Sequence, residues 1–176
     1  NLMKKIAAII LAAGKGKRMK AKSINKVVYP LANKQMILYP VELLEKLSIS
    51  PIVVVVGFAK QSVINALGSR VIYVEQKKRL GTGHAAYCGL KKLPKNIDDV
   101  LVVNGDDSAF YKEDIVKNLI SSHLNSRASL TFLAINVDNP AGLGRVIRDK
   151  SGKVVSVVEE KDAKDTQKKI KEINSA

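Results

Sequence analysis

The sequence predicts an α/β fold with a mixed, mostly parallel sheet. Three observations carry that reading. Short apolar runs rich in β-branched residues recur along the chain, segments with helical spacing of apolar residues separate them, and glycine or a small polar cluster closes most of the runs. The 176 residues are 46% hydrophobic and 26% charged, the balance of a globular chain long enough for a real core, so one domain spanning 1–176 is expected.

The first run, residues 6–13, is apolar throughout and reads as a strand buried on both faces. It ends in Ala12, Ala13 and Gly14, small residues that let a ligand approach the backbone closely. Lys15, Lys17, Arg18, Lys20 and Lys26 follow before Val27 and Val28, a concentration of cations suited to an anion. A nucleotide whose phosphates lie under Arg18 and Lys26 answers this pattern. A plain core strand with a solvated basic turn answers it too. A signal peptide would also begin with a basic pair such as Lys4-Lys5, but the apolar run is short and a basic loop follows it instead of a polar cleavage region.

Residues 27–31 form a short apolar piece ending near Pro30. Met36, Ile37, Tyr39, Leu43, Leu44 and Leu47 set helical spacing over 35–47, with Pro40 in the first turn or at a kink. A second buried strand is expected at 52–56, stopped by Gly57, then a helix at 60–67 closed by Gly68. A strand at 71–74, a helix at 83–93 and a strand at 100–103 complete the alternation, the last ending in Asn104-Gly105-Asp106-Asp107. A helix at 114–124 and a strand at 129–137 follow. The last third changes character: 143–148 and 153–158 read as a hairpin around Asp149-Lys-Ser-Gly152, and 163–171 as a short charged helix. In such folds ligands bind beyond the carboxyl ends of strands, which directs attention to Gly14, Gln76 and Asp106.

The formal net charge of +14 invites a nucleic-acid reading. The excess is mostly lysine scattered over the whole chain, and with 5% aromatics and no Trp a base-stacking surface is poorly supplied, so a solvated lysine-rich surface is expected and no nucleic acid. No apolar run approaches membrane-spanning length, so no membrane partner is expected. The single Cys88 excludes an internal disulfide, and with only His84 and His123 beside it a zinc site is not expected; these features favour the cytoplasm.

The loop Gly14-Lys-Gly-Lys-Arg-Met19 is neither a dinucleotide fingerprint, which needs a third glycine where Met19 stands, nor a Walker A loop, which needs Gly-Lys-Ser/Thr. Gln76 carries an amide able to pair with the donor and acceptor edge of a base. In Leu80-Gly-Thr-Gly-His84 two glycines around Thr82 permit close backbone contact before a helix, although Thr82 can equally cap that helix. His84 reads as a packed helix residue. Asp106 at a strand end suits Mg²⁺, which takes one or two protein carboxylates and phosphate oxygens. Alternatively Asp106 or Asp107 caps the next helix, and Asp107 could itself be the ligand. Glu159, at a strand end, can accept hydrogen bonds from sugar hydroxyls or belong to the solvated run Glu159-Glu-Lys-Asp162.

Leu11-Ala-Ala-Gly-Lys-Gly-Lys-Arg-Met19, Leu80-Gly-Thr-Gly-His-Ala85, Gly105-Asp106, Gly142-Leu-Gly-Arg145, Val158-Glu-Glu-Lys-Asp-Ala163 and Glu172-Ile-Asn174 occur in order over nearly the whole chain. Together they resemble the uridyltransferase domain of bacterial N-acetylglucosamine-1-phosphate uridyltransferases, a branch of the sugar nucleotidyltransferases. The resemblance implies a Rossmann-like nucleotidyltransferase fold with helices on both faces of the sheet. It implies transfer of UMP from UTP to N-acetylglucosamine 1-phosphate, giving UDP-N-acetylglucosamine and pyrophosphate. It assigns Leu11, Ala12, Ala13, Gly14, Gln76, Gly81 and Thr82 to the uridine nucleotide and makes Arg18 and Lys26 the catalytic cations on the phosphates. Asp106 would hold Mg²⁺, with Asn104 and Gly105 beside it among the substrate-binding residues. Gly144, Glu159 and Asn174 would contact the N-acetylglucosamine.

The chain departs from the family pattern in carrying Asn25 where a proline usually precedes the lysine, and Asp107-Ser-Ala after Gly-Asp where Val-Pro-Leu is usual. The family's second metal ligand and further sugar contacts fall past Ala176, so a C-terminally truncated domain is expected, with homo-oligomers a property of the longer protein. A sister enzyme acting on glucose or mannose 1-phosphate, and a non-catalytic binding module for sugar nucleotides or nucleic acid, are the rival readings.

Overall fold

A computed structural model of the chain describes residues 5–16, 23–78, 80–106 and 111–175. They form two compact units divided after Glu113. In chain order the first unit contains β1 (Ile6–Ala12), a 3₁₀ turn (Lys26–Val28), the two-residue strands β2 (Pro30–Leu31) and β3 (Lys34–Gln35), α1 (Leu38–Lys46), β4 (Ile52–Val56), α2 (Lys60–Leu67), β5 (Ile72–Glu75), α3 (Thr82–Leu90) and β6 (Asp99–Asn104).

Four of these strands make one parallel sheet in the order β5-β4-β1-β6. The sequence of β4, Ile-Val-Val-Val-Val, is buried at every position, which is why a period-2 alternation is missing from it. Ile9 pairs with Val53 and Leu11 with Val55, so these side chains share a face. On that face Ile9, Val53 and Val55 are buried with Ala13 and with Ala85 of α3. Gly89 brings α3 onto β1: a Cβ there would stand 2.7 Å from Ile9 Cγ2. The alternate residues Ala8, Ile10 and Val54 point to the opposite face and are equally buried, so the sheet centre is covered on both sides. Strand order runs third, second, first, fourth along the chain. It reverses between β1 and β6, and a crevice at their carboxyl ends follows from that topology.

The helix expected at 35–47 starts at Leu38 because the preceding residues are taken by a hairpin. Lys34 and Gln35 pair with Leu31 and Pro30 across Ala32 and Asn33, which both have positive φ, 49° and 64°. That is the geometry of a two-residue hairpin turn without the glycine that usually announces it. Pro40 sits in the first turn of α1, where its missing N–H costs little.

The second unit carries α4 (Glu113–Ser126) from its second residue on, β7 (Ala134–Asn136), β8 (Arg145–Arg148), β9 (Val154–Val158), a 3₁₀ turn (Glu160–Asp162), α5 (Asp165–Lys168) and β10 (Glu172–Asn174). Its sheet is antiparallel throughout, in the order β7-β10-β8-β9. The parallel central sheet is as expected; antiparallel pairing has a sheet of its own. The β8–β9 hairpin forms where its turn residues indicated. Asp149 Oδ1 accepts from the Ser151 backbone and hydroxyl and from Lys153 N, and the Ser151 hydroxyl foremost holds this carboxyl below its ordinary pKa. The helix expected at 163–171 shrinks to the single turn of α5, and residues 172–174 become an interior strand.

Arg145, 1% exposed, is the unusual core residue of this unit. Its guanidinium donates to Glu160 Oε2 at 2.6 Å, to Lys168 O at 3.3 Å and to Leu143 O, tying β8 to the turn and helix that follow β9. That hydrogen bond holds the Glu160 carboxyl below its ordinary pKa. No helix among the described residues is long and apolar enough to cross a membrane.

Candidate functional site

The crevice at the switch point is a cavity of about 280 Å³. Its floor is the end of β1, with Leu11, Ala13 and Gly14. One wall is Gln76 after β5 with Gly81, Thr82 and Ala85 at the start of α3; the other is Lys26 with Asn104 and Asp106 at the end of β6. Nine residues singled out in the sequence therefore line one space, all within the first unit. Ala12 and Gly105 stand behind the lining. Ala12 is buried and its carbonyl is bound by Asn25, while Gly105 donates to Leu11 O at 3.0 Å and packs against Val27 and Ile37. Arg18 and Asp107 lie outside the described residues.

Polar groups converge on the cavity from three directions. Lys26 Nζ forms an ion pair with Asp106 Oδ2; the two side chains are 29% and 23% exposed, so the pair is partly desolvated. Asp106 Oδ1 has no partner among the described residues. A single carboxylate with one open oxygen, beside a cavity able to take phosphate, fits a hydrated divalent ion of the Mg²⁺ kind, which needs few protein ligands. No cluster of three or more acidic, His or Cys ligands exists among the described residues.

Gln76 is 5% exposed and its orientation is fixed. Its backbone N–H donates to Val56 O at 2.8 Å; its amide nitrogen donates to Gly81 O at 3.1 Å and stands 3.0 Å from His84 Nδ1. With the nitrogen held by two acceptors, Oε1 is the amide atom without a partner among the described residues. His84 is thus more than a packed helix residue. Its Nδ1 serves as an acceptor, which makes Nε2 the protonated nitrogen of the neutral ring. Thr82 does not cap α3: the N-cap is Gly81, with φ of 96°, and no side chain caps the helix. The N–H groups of the first turn and the positive end of the helix dipole are left for a ligand.

Gly144, Glu159 and Asn174 lie in the second unit, and its antiparallel register gathers them. Asn174 N donates to Gly144 O at 3.2 Å, and a Cβ on Gly144 would stand 3.7 Å from Glu159 Oε1. Gly144 directly precedes β8 and Glu159 directly follows β9; Glu159 is exposed, and a Cβ on Gly144 would stand 3.3 Å from Val157 Cγ1.

Two residues of the first unit escaped the sequence reading. Ala85 lines the cavity but carries no chemical signal. Asn25 has no exposed surface and makes hydrogen bonds to three separate segments. Its signal in the sequence was its place directly before Lys26, where the family pattern has a proline.

A model of the MobA-like NTP transferase domain matches residues 8–163. Among curated proteins, the chain is 39% identical over 173 residues to the bifunctional protein GlmU of Caldanaerobacter subterraneus subsp. tengcongensis, covering 98% of this chain and 37% of that protein. It is 43% identical over 175 residues to GlmU of Caldicellulosiruptor saccharolyticus, with 98% and 37% covered. With GlmU of Francisella philomiragia identity is 44% over 171 residues, with 97% and 36% covered. The chain therefore spans little more than a third of the length of these relatives. Among solved structures, a putative glucose-1-phosphate thymidylyltransferase from Bacillus anthracis aligns with a TM-score of 0.75 at 22% identity, over 96% of this chain and 68% of that one. A UDP-glucose pyrophosphorylase complexed with UDP-glucose aligns with a TM-score of 0.76 at 21% identity, over 98% and 74%. At these identities the structural likeness speaks for the fold.

Proposed function

We propose a reaction from the premise that the chain belongs to the MobA-like NTP transferase family. The reaction is transfer of UMP from UTP to N-acetylglucosamine 1-phosphate, giving UDP-N-acetylglucosamine and pyrophosphate in the cytoplasm. The observation that carries it is the Lys26–Asp106 pair facing Gln76 and the uncapped start of α3 across one cavity. The likeness to GlmU proteins over nearly all of this chain supports the choice of base and sugar.

A phosphate oxygen of the sugar 1-phosphate attacks the α-phosphorus of UTP. A new P–O bond forms, the bond from Pα to the α,β-bridging oxygen breaks, and pyrophosphate leaves with that electron pair. Two anions have to meet, so the work of the protein is positioning and charge neutralisation. Lys26 acts as a point charge beside the α-phosphate, and Arg18 takes the leaving pyrophosphate. Asp106 would hold Mg²⁺, whose charge neutralises phosphate oxygens when bound. Gln76 Oε1 accepts the imide N–H of uracil, and Leu11 to Gly14, Gly81 and Thr82 let the nucleotide lie close to the backbone. In the second unit Glu159 is the acceptor for sugar hydroxyls, with Gly144 and Asn174 the other residues assigned to the sugar.

Pyrophosphate release by the whole gene product, measured with the four nucleoside triphosphates against a panel of sugar 1-phosphates, tests the substrates. UTP with N-acetylglucosamine 1-phosphate is expected to give the highest kcat/KM, and a clear preference for another pair would replace this reading. Lys26→Ala and Asp106→Ala are each expected to lower turnover by about a hundredfold or more. Near-normal rates in both would remove these residues from the mechanism.

A further inference from the structure

Asn25 directly precedes Lys26 and is wholly buried behind the cavity lining. Its amide nitrogen donates to Ala12 O and to Phe58 O, both at 2.8 Å, and lies 3.3 Å from Gly14 O. Its Oδ1 accepts from Val27 N at 3.2 Å. Its backbone N–H donates to Ser62 Oγ at 3.0 Å, and that hydroxyl donates onward to Ala59 O at 2.7 Å. One side chain with no exposed surface thus joins the end of β1, the loop after β4 and the first turn of α2. It also starts the 3₁₀ turn whose first residue is Lys26.

We propose that Asn25, backed by Ser62, is a positioning residue: it fixes where Lys26 stands beside Asp106 on the cavity wall. The proposal rests on the nucleotidyl-transfer reading for its effect on catalysis. Its structural content is independent of that reading. No other side chain of this length meets the demands of the site. The amide supplies two protons where carbonyls crowd together, and an oxygen where the Val27 N–H needs one. Alanine would take this donor from the buried Ala12 carbonyl and from the part-buried Phe58 carbonyl. Aspartate would set a carboxylate against them. Proline would remove the bond to Ser62. Lys26 follows immediately on a three-residue turn, so displacement of Asn25 passes to the Lys26 backbone with no flexible segment between.

The test uses the whole gene product with Asn25→Ala, Ser62→Ala, Lys26→Ala and the Asn25→Ala/Lys26→Ala double variant, each checked for folding by thermal melting. Asn25→Ala is expected to lower kcat about tenfold or more with a smaller change in KM. In the Lys26→Ala background the same change is expected to cost no more than about twofold, because the group being positioned is gone. Equal losses in both backgrounds would show a general structural role and overturn the proposal. A second readout does not involve turnover: trace acetylation of lysines with acetic anhydride, followed by mass spectrometry. Loosening a partly buried ion pair is expected to raise the Lys26 rate about threefold in Asn25→Ala and in Ser62→Ala, with exposed Lys46 unchanged. Unchanged Lys26 acetylation in a folded variant overturns the proposal, and Ser62→Ala carries this arm if Asn25→Ala does not fold. A wild type that releases no pyrophosphate from any substrate pair defeats the reaction reading, while the acetylation result still decides Asn25.

Discussion

Lys26 and Asp106 stand 80 residues apart in the chain and share one ion pair. The electrostatics of that pair differ from those of exposed pairs such as Lys60–Glu75, because both partners are mostly covered and an incoming phosphate would enter a site where charge is less screened. At the same scale, His84 and the Gly81 carbonyl decide which end of the Gln76 amide faces the cavity. An oxygen facing outward suits a base with an imide N–H and repels the bare N3 of cytosine. Removing one of the two acceptors eases rotation of the amide. His84→Ala is therefore expected to reduce the preference for UTP over CTP by roughly threefold to tenfold, the scale of one neutral hydrogen bond. The ratio of the two kcat/KM values measures it, and an unchanged ratio would show that the Gly81 carbonyl suffices alone.

Helix α3 contributes at both of its ends. Its uncapped start forms a wall of the cavity, and its Gly89 sets how closely the helix lies on β1. A methyl group at Gly89 would meet Ile9 Cγ2, Cδ1 and Cγ1 within 3.1 Å, and Ile9 is fully buried with little room to move. Gly89→Ala is expected to cost about 1–3 kcal/mol through overpacking, although alanine is the better helix former. Denaturant unfolding reads that loss directly. Because the displaced helix also carries Thr82, nucleotide affinity should fall with it. Wild-type stability in Gly89→Ala would mean that α3 can shift outward freely.

Across the molecule, carboxylates are held ionised by basic partners. Hydrogen bonds from Arg70, Lys60, Arg145 and Arg148 lower the pKa values of Glu45, Glu75, Glu160 and Glu172, respectively, and the Ser151 hydroxyl lowers that of Asp149. Each folded pKa lies below its unfolded value. The associated stability is therefore present above the ordinary carboxylate pKa and is lost as pH falls through the lowered one. Protonation also adds to a formal charge already at +14, which increases self-repulsion. The melting temperature is expected to fall steadily between about pH 5 and about pH 3. Arg148→Gln with Glu172→Gln should flatten part of that slope, and an unaltered slope would remove this pair as a contributor.

What could be read from the chain alone was whatever depends on local pattern. Continuous apolar runs announced the buried parallel strands 6–13 and 52–56, glycines marked their ends, and attention to Gly14, Gln76 and Asp106 followed from the rule that α/β sheets bind ligands beyond their carboxyl edges. The hairpin at 149–152 was legible because Asp149 and Gly152 have turn chemistry of their own. Tertiary structure decided the rest. Residues 172–174 become an interior strand only because β7 and β8 flank them, and Gln35 leaves the helix expected at 35–47 because Ala32 and Asn33 adopt left-handed conformations that no glycine signals. Asn25 is the clearest case. Its neighbours in sequence say nothing of its buried position, since the carbonyls it binds come from β1 and from the loop after β4, and a hydrogen bond between distant segments leaves no periodic trace in the chain that makes it.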